Sequence, residues 1–371
     1  MKKLRVAVLF GGRSGEHDVS LMSARSVLSV LDPERYDVTQ IGITLDGNWL
    51  TGSNVLDAFE KNDVSALERV IPPTEPASRQ SVHVLRSTKI GEKFETLAAI
   101  DVFFPVLHGP FGEDGTIQGL FEMADVAYVG AGVAGSSVGM DKGIFKDVMR
   151  ANGIPIVDSI LVLRSEIEKD INAVIEKVEV MGAYPFFTKP ANLGSSVGIS
   201  KCISRSDLAE GLLDAARYDR RVLIERGAGN VREVEVSVLG NEDPQASVCG
   251  EILPSREFYS YESKYVDGTS GLVIPSQLPD EVTGKIREYA VRAYKAIDCA
   301  GMARADFFVE MDTNQIYLNE LNTIPGFTSI SMYPKLWQAS GLTYTELVDR
   351  LIELALDRKS QRDRTERRRM A

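Results

Sequence analysis

Two apolar segments that could place acidic groups face to face give the first indication of chemistry. Residues 303–309 and 315–321 read as the strands of an antiparallel hairpin around a polar turn at 312–314. If this turn centres on its middle residue, Asp306 faces Glu320 across the strand pair. Side chains alternate along a strand, so these carboxylates share one face of the hairpin.

Arg304 and Asn322 face each other in the same register, next to Asp306 and Glu320. Opposed like charges destabilise a strand pair, so the two carboxylates need a compensating cation. Two carboxylates and an amide oxygen suit Mg²⁺, a hard ion that often bridges substrate phosphates. The alternative is a solvent-facing acidic edge that Arg304 neutralises.

A Gly- and Ser-rich loop at residues 192–198 is a candidate phosphate-binding loop. It follows Lys189 directly, and Lys142 lies upstream at a predicted helix start. Small residues let backbone N–H groups approach phosphate oxygens, and either lysine could add a point charge. The loop itself matches neither GxxxxGK[ST] nor GxGxxG. A plain Gly/Ser hairpin therefore remains the alternative.

Polar residues follow the ends of two predicted N-terminal strands. Ligands of open α/β sheets bind beyond the carboxyl ends of strands. Glu16 lies in a Gly-rich turn and could pair with an amino group, whereas Asp18 could equally stabilise the helix dipole. His108 precedes another Gly-rich turn, and both a structural and a functional role stay open for it.

The elements that must position these groups begin in the order strand, helix, strand, which predicts an open α/β sheet with parallel strands. Strands are predicted in the first unit at 4–10, 38–44, 101–107 and 127–129. The first helix is expected to stop at 32–33, and residues 52–97 carry mixed signals. A Gly/Ser-rich connector at 130–139 indicates a domain boundary, after which Asp141 can cap a helix ending at 152–153.

A middle unit and a third unit follow. The middle unit is predicted to contain a helix at 165–181, strands at 185–189 and 198–203, and a helix after Ser206. The third unit begins with a strand at 222–225 and ends in a helix that starts near Thr343. The charge run from Asp357 onward predicts a solvated tail, with a nucleic-acid-binding arm as the weaker alternative.

Composition excludes several classes of protein. The chain has 371 residues, which suggests two or three domains, and 44% of them are hydrophobic. A net charge of -11 argues against a broad nucleic-acid surface. The spacing of Cys202, Cys249 and Cys299 predicts buried free thiols in a reducing compartment. No stretch approaches membrane-spanning length, so we expect a cytoplasmic protein.

Together these segments resemble the ATP-grasp superfamily and, within it, the D-alanine–D-alanine ligase family. The matching motifs run in chain order across most of the sequence, at 10–20, 108–115, 139–142, 189–198, 232–237, 261–265, 304–306 and 319–329. The resemblance implies an ATP-grasp fold that is α/β, with an α+β C-terminal part and an N-terminal open Rossmann-like sheet. It also implies three domains and a charged tail, at 1–138, 139–222, 223–356 and 357–371.

The resemblance assigns roles residue by residue. Nucleotide contacts fall on Lys142, Lys189, Ser195, Ser196, Glu225, Glu233 and Phe308. Substrate contacts fall on Glu16, His108, Lys264, Tyr265, Arg304, Gly326, Ser331 and Met332. The residues expected to act in catalysis are Glu16, Ser195, Tyr265, Arg304 and Ser331. Lys264 and Tyr265 resemble part of a lid, and Asp306, Glu320 and Asn322 resemble ligands of two Mg²⁺ ions, with Mn²⁺ as an alternative.

The implied activity is ATP-dependent ligation of two D-alanine molecules through an acyl phosphate, for peptidoglycan precursor synthesis. D-alanyl-D-lactate or D-alanyl-D-serine ligation, or another ATP-grasp carboxylate–amine ligation, is the alternative. A nucleotide-binding regulator without catalysis is disfavoured, because no expected metal ligand or lysine is missing. The resemblance also implies a homodimer without nucleic-acid or membrane partners, and leaves K⁺ activation open.

Overall fold

Three β-sheets with flanking helices make up the fold in the computed structural model, which describes residues 2–74, 76, 81–88, 91–253, 271–328 and 330–366. The sheets have seven, four and five strands, and they follow one another along the chain. Within these ranges, no helix is both long enough and apolar enough to cross a membrane.

The first sheet contains the strands β1 (Leu4–Gly11), β2 (Tyr36–Ile43), β3 (Trp49–Thr51), β4 (Glu68–Ile71), β5 (Ser81–Thr88), β6 (Gly91–Ala99) and β7 (Val102–Pro105). Its helices are α1 (His17–Leu28), α2 (Val55–Glu60) and α3 (Thr116–Met123). The spatial order is β6-β5-β4-β3-β2-β1-β7. Strand β1 pairs in parallel with β2 and β7, which confirms the predicted strand–helix–strand start. The strands from β3 to β6, for which no pairing was predicted, extend the sheet in antiparallel fashion.

Strand β1 is buried on both of its faces. Val6, Val8 and Phe10 pack into one apolar core with α1, while Ala7 and Leu9 pack into a second core with α3. Alternate residues of a strand point to opposite faces, and a continuous apolar run therefore suits a strand that is covered on both sides. This burial fixes the carboxyl end of β1, from which the Gly-rich turn leads into α1.

Several predicted boundaries in the first unit differ from the structure. Helix α1 ends at Leu28, before the predicted stop at 32–33. The predicted strand at 127–129 is wrong, because this segment forms an isolated parallel β-bridge, between Phe103 and Tyr128, and not a strand. The unassigned stretch 52–97 supplies α2 and the strands β4, β5 and most of β6.

The predicted Gly/Ser-rich connector is mostly the helix α4 (Val133–Met140). Small residues here permit close packing: a Cβ at Gly135 would lie 2.9 Å from the Asp298 carbonyl oxygen, and one at Gly139 would lie 2.9 Å from Thr323 Cγ2. The next helix, α5 (Lys142–Ala151), confirms the predicted cap, since the Asp141 carboxylate accepts a 2.9 Å hydrogen bond from the Ile144 N–H.

The second sheet contains β8 (Ser159–Leu163), β9 (Phe186–Pro190), β10 (Ser200–Cys202) and β11 (Arg221–Arg226) in the order β10-β9-β11-β8. Its helices are α6 (Arg164–Lys169), α7 (Ile171–Glu179) and α8 (Arg205–Tyr218). The single helix predicted at 165–181 is wrong, because Asp170 leaves the helical conformation and caps α7 with its side chain. Strand β11 pairs with β8 and β9, and the predicted domain border after residue 222 cuts through it. We therefore propose a border after Arg226.

The third sheet contains β12 (Val231–Gly240), β13 (Gln245–Leu253), β14 (Gly271–Val273), β15 (Gly301–Glu310) and β16 (Ile316–Asn322). Its order is β14-β13-β12-β15-β16, and all four pairings are antiparallel. Helix α9 (Asp280–Ala296) covers this sheet, and α10 (Met332–Ala339) and α11 (Tyr344–Asp363) follow it. The three cysteines are free and buried, as predicted.

Strands β15 and β16 form the predicted hairpin. Its two predicted pairs are confirmed, Asp306 with Glu320 and Arg304 with Asn322. Nearer the turn, Phe307 pairs with Leu318, so Asn319 is an extra residue in β16. This β-bulge shifts the register by one residue between the turn and the acidic pair.

The predicted solvated tail is wrong up to the end of α11. Arg358 on this helix lies 4.1 Å from the Tyr128 ring centroid and donates a 2.7 Å hydrogen bond to the Gly130 carbonyl oxygen. Arg362 forms a 2.6 Å ion pair with Glu122 of α3. The helix also contributes to the apolar core of the first sheet. The last helix therefore fastens the third unit to the first, and residues 367–371 lie outside the described ranges.

We expect Arg358→Ala to lower the free energy of unfolding by about 2 kcal/mol, because it removes a charge-assisted hydrogen bond and a cation–π contact. The matched control is Arg350→Ala on the same helix, where an exposed arginine pairs with Glu353. Exposed pairs contribute about 0.5 kcal/mol. Denaturant unfolding measures both variants, and equal losses of unfolding free energy would contradict the role of Arg358 in fastening the third unit to the first.

Candidate active site

A cavity of about 530 Å³ is walled by residues from all three units of the chain. It gathers the predicted site residues Glu16, His108, Lys142, Lys189, Ser195, Ser196, Glu225, Glu233, Arg304, Asp306, Phe308, Glu320, Asn322, Gly326, Ser331 and Met332. Lys264 and Tyr265 lie outside the described residues. A volume of several hundred Å³ fits a small-molecule site.

Glu16 and Ser195 close the cavity between the first and second units. Glu16 directly precedes α1, and its Oε1 accepts a 2.5 Å hydrogen bond from the Ser195 hydroxyl. Glycines make room for this carboxylate: a Cβ at Gly109 would lie 2.5 Å from Glu16 Oε2, and one at Gly194 would lie 2.7 Å from it. The contact joins parts of the chain that are 179 residues apart.

The Gly/Ser loop after β9 is held in an unusual backbone conformation. Ser195 and Ser196 have positive φ angles of 53° and 59°, which non-glycine residues rarely adopt. The Lys142 ammonium group donates a 2.7 Å hydrogen bond to the Leu193 carbonyl oxygen. Residues kept in such conformations cluster at ligand-binding sites, where the surrounding structure holds them. A plain Gly/Ser hairpin, the alternative interpretation, does not explain why this loop is held in such a conformation with Ser195 hydrogen-bonded to Glu16.

A buried carboxylate between two lysines forms the floor of the cavity. Glu225 Oε2 lies 2.5 Å from Lys189 Nζ, and Glu225 Oε1 lies 2.6 Å from Lys146 Nζ. Burial by itself would raise the pKa of Glu225, but the two ammonium groups outweigh it and lower the pKa to about 2. Burial lowers the pKa of Lys146. Burial also acts to lower the pKa of Lys189, but the charge and hydrogen bond of Glu225, together with the charges of Glu320 and Glu233, outweigh it and raise the pKa.

The acidic hairpin forms the opposite wall. Arg304 makes two 2.7 Å hydrogen bonds to the Asp306 carboxylate and an ion pair of 2.9 Å with Glu235. Asn322 donates a 3.1 Å hydrogen bond to Asp306. Arg304 thus neutralises Asp306, as in the alternative interpretation, but the side chains are only 15% exposed and face the cavity. The solvent-facing edge is wrong, since alternate residues of β15 pack into the core behind it.

The donor chemistry of this wall fits a hard cation. Asp306 and Glu320 lie directly opposite each other, and Asn322 adds an amide oxygen on the same wall. Among the described residues, no group of three or more His, Cys, Asp or Glu side chains is arranged to hold a metal ion. The metal prediction therefore rests on two carboxylates and one amide, together with whatever oxygens a bound substrate brings.

His108 and Glu113 tie the first unit to the loop after β16. The Ile324 carbonyl oxygen can only accept, so His108 Nδ1–H donates the 3.0 Å bond to it, and Nε2 accepts from the Ser23 hydroxyl at 3.0 Å. Burial lowers the pKa of His108, in agreement with a neutral ring. The Glu113 carboxyl accepts hydrogen bonds from the Gly109 and Ile324 N–H groups at 2.7 and 3.3 Å. Burial, followed by the charge of Glu16, raises the pKa of Glu113 to about 8.

The opposite end of that loop leads into α10. The Thr328 N–H donates a 3.1 Å hydrogen bond to Ser331 Oγ, and the two hydroxyl groups lie 2.8 Å apart. Ser331 directly precedes α10, and Met332 is its first residue. Gly326, Ser331 and Met332 thus reach the cavity from one continuous stretch of chain.

Sequence reasoning missed three charged groups of the site, Glu113, Lys146 and Glu235. Glu235 had a usable signal, because Glu233 and Glu235 alternate with apolar residues in β12 and therefore share a face. Glu113 lies in the Gly-rich turn already singled out after His108. Lys146 gave no signal, since a lysine inside a helix usually faces solvent.

The raised pKa of Glu113 makes a pH-dependent prediction. A carboxyl group with a folded pKa near 8 keeps its proton at neutral pH, and its stabilising effect is lost as pH rises from about 4.5 through 8. The side chain that Glu113→Gln introduces cannot ionise. We therefore expect the difference in unfolding free energy, variant minus native protein, to increase steadily between pH 5 and pH 9. Denaturant unfolding across this range measures the difference, and parallel pH profiles would contradict the assignment.

Comparisons with known proteins agree with this geometry. Models of the D-ala D-ala ligase N-terminus and C-terminus match residues 5–131 and 148–353. The D-alanine–D-alanine ligase of Acetivibrio thermocellus is 49% identical over 96% of both chains. That of Chloroherpeton thalassium is 48% identical over 98% of this chain and 99% of the relative.

Solved structures of the same kind superpose over nearly the whole chain. The D-alanine–D-alanine ligase from Coxiella burnetii has a TM-score of 0.81 at 34% identity, covering 98% of this chain and 97% of that one. The VanG D-Ala:D-Ser ligase from Enterococcus faecalis has a TM-score of 0.83 at 33% identity, covering 95% and 100%. The predicted ATP-grasp fold is confirmed. The chain belongs to the D-alanine–D-alanine ligase family.

Proposed function

We propose that the chain ligates two D-alanine molecules into D-alanyl-D-alanine, converting ATP to ADP and phosphate, for peptidoglycan precursor synthesis. As a member of its family the chain is a ligase. The observation that carries the proposal is the hydrogen bond between Ser195 and Glu16. It joins a candidate ammonium-binding carboxylate to the candidate phosphate loop in one cavity, as the activation of an amino acid by ATP requires.

The second and third units supply the proposed nucleotide contacts. Lys142 and Lys189 bind phosphates beside the loop that carries Ser195 and Ser196. Lys142 already holds that loop through Leu193, which supports this placement. The adenosine end is bound by Glu225 with the backbone that follows it, and by Glu233 and Phe308, which are direct cross-strand partners on β12 and β15.

The chemistry starts with the first D-alanine. Glu16 binds its ammonium group, and a carboxylate oxygen attacks the γ-phosphorus of ATP, so that ADP leaves and an acyl phosphate forms. The amine of the second D-alanine then attacks the carbonyl carbon. The tetrahedral adduct collapses with loss of phosphate and of the amine proton to form the dipeptide. Positioning and charge stabilisation carry most of the catalysis of such transfers.

The loop after β16 and Arg304 supply the proposed oxyanion site. Arg304 is held between Glu235 and Asp306. Gly326 lies in the loop after β16, which His108 and Glu113 fasten through hydrogen bonds to Ile324. A preorganised donor of this kind stabilises developing charge without a reorganisation cost.

The second D-alanine is proposed to lie near Ser331 and Met332, beneath a lid that includes Lys264 and Tyr265. Ser331 Oγ is already within hydrogen-bond distance of Thr328, so its hydroxyl has a defined position at the cavity wall. A closed site protects the acyl phosphate from water.

The acidic hairpin is the proposed metal site. Asp306, Glu320 and Asn322 would hold two Mg²⁺ ions, or Mn²⁺, which when bound offset phosphate charge. We also propose that the enzyme is a cytoplasmic homodimer without nucleic-acid or membrane partners. The net charge of -11 supports the exclusion of nucleic acid.

The choice of second substrate separates this proposal from its alternatives. We expect phosphate release from Mg-ATP with D-alanine, formation of D-alanyl-D-alanine, and little product with L-alanine. D-serine and D-lactate are the decisive competitors, because one solved neighbour is a D-Ala:D-Ser ligase. Competition assays with product analysis by mass spectrometry measure the preference. Predominant formation of D-alanyl-D-serine or D-alanyl-D-lactate at neutral pH would overturn the D-alanine assignment.

Asp306→Asn tests the metal site. Loss of one anionic ligand should lower turnover by roughly 100-fold or more at ordinary Mg²⁺ and weaken metal binding. Binding can be measured without turnover, with Mn²⁺ as a paramagnetic reporter. The matched control is Asp312→Asn in the exposed turn of the same hairpin. Equal Mn²⁺ binding by the two variants would show that the ligand assignment is wrong.

A further inference from the structure

The proposed roles leave one buried charged group of the cavity floor unexplained. Lys146 on α5 is 2% exposed, and its Nζ lies 2.6 Å from Glu225 Oε1. Lysine is almost never buried to this extent without a specific partner. Its partner also has a second ion pair, with Lys189 at 2.5 Å. One carboxylate is therefore shared by two ammonium groups.

The two lysines differ in their access to a ligand. Lys189 is 12% exposed and lines the cavity, whereas Lys146 approaches Glu225 from behind and does not line it. A ligand in the cavity can therefore contact Lys189 and cannot contact Lys146 without displacing Glu225. One lysine can exchange partners while the other stays in place.

Without a second lysine, this exchange would leave the buried Glu225 carboxylate without a counter-charge. If Lys189 turned from Glu225 to a phosphate, a carboxylate with 4% exposure would lose a counter-charge. Loss of one partner from a buried ion pair is strongly unfavourable, because the remaining charge is neither solvated nor paired. A second lysine on the far side removes this obstacle.

We propose that Lys146 is a positioning residue that compensates Glu225 when Lys189 transfers from Glu225 to the phosphates of the nucleotide. The inference rests on the proposed function, because it takes Lys189 as a phosphate ligand. In the free protein the three groups carry one surplus positive charge. In the nucleotide complex Lys146 and Glu225 form a neutral pair, and that surplus charge lies on the phosphates.

The proposal predicts an effect that depends on the phosphates of the ligand. Adenosine does not draw Lys189 away from Glu225, whereas ATP does. Lys146→Met should therefore weaken ATP binding by about tenfold or more, equivalent to about 1.4 kcal/mol, and change adenosine binding by less than about threefold. A lysine that only supported the fold would affect both ligands alike.

Four variants separate the possible causes. Lys189→Met removes the proposed phosphate ligand itself, and it should weaken ATP but spare adenosine. The double variant Lys146→Met with Glu225→Gln removes both the lysine and the carboxylate that it compensates. Its ratio of ATP affinity to adenosine affinity should return to the native value or exceed it. The control is Lys177→Met, an exposed lysine on α7 of the same unit.

Calorimetric titration of the full-length protein with Mg-ATP and with adenosine, in the absence of D-alanine, measures the ratio for each variant. A lower ratio in Lys146→Met and recovery in the double variant support the proposal. An unchanged ratio, or equal losses for both ligands, overturns it and leaves the proposed function intact. If Lys189→Met binds ATP normally, the phosphate role of Lys189 fails and the transfer fails with it.

The double variant also protects the test against misfolding. Lys146→Met leaves the Glu225 carboxylate with one partner, Lys189. The double variant contains neither Lys146 nor Glu225, and Lys189 lines the cavity, so the double variant is expected to fold. If only the double variant is soluble, an ATP-to-adenosine ratio below the native value overturns the proposal. A ratio at or above the native value supports it, because Lys189 is then no longer held by Glu225.

Discussion

The compensation of buried carboxylates is the constraint on which this site depends. Glu225 lies between Lys146 and Lys189, and Asp306 is neutralised by Arg304. An isolated charge in such an environment would cost several kcal/mol or lose its charge, so each acidic group requires a partner fixed by the fold. Glu113 shows the other outcome: it accepts two backbone hydrogen bonds but faces another carboxylate, and its pKa is raised to about 8. The charge pattern therefore determines which groups can serve as anions at neutral pH.

The walls of the cavity come from three units of the chain, and the contacts between these units define the cavity. Ser195 from the second unit reaches Glu16 in the first, and His108 fastens the loop after the acidic hairpin. At the far end of the chain, Arg358 of α11 fastens the third unit to the first. The family of the chain follows from matches along almost its whole length, and these cross-sheet contacts explain why so much of the chain is needed for one small cavity.

Local patterns located half of the sixteen described strands and predicted the register of the acidic pair, because strand alternation acts over a few residues. The predicted pairing of Asp306 with Glu320 is correct although the hairpin contains a bulge at Asn319. The turn is centred half a residue away from the predicted position, and the extra residue of the bulge restores the predicted pairing. Patterns failed where tertiary packing decides the structure. The Gly/Ser-rich segment became α4, because its glycines pack against the third unit. The burial of Lys146 could not be predicted for the same reason, because it depends on Glu225 in a strand almost eighty residues further along the chain.

The ion pairs of the structure also bear on how ligands bind together. Lys189 is paired with Glu225, Arg304 with Asp306, and Glu16 with Ser195, so the groups proposed to bind ligands are one another's partners. A ligand that binds to one of these groups would have to break such a contact, and the remaining partner would keep only its other contacts, such as Glu225 with Lys146 or Arg304 with Glu235. With the proposed roles, a cation at Asp306 would release Arg304 from that carboxylate for an anionic substrate, and the transfer of Lys189 to a phosphate would be less unfavourable because Lys146 remains beside Glu225. Each ligand would thus lower the cost of binding the next, and such reciprocal coupling would favour a site that is assembled only when its substrates are present together.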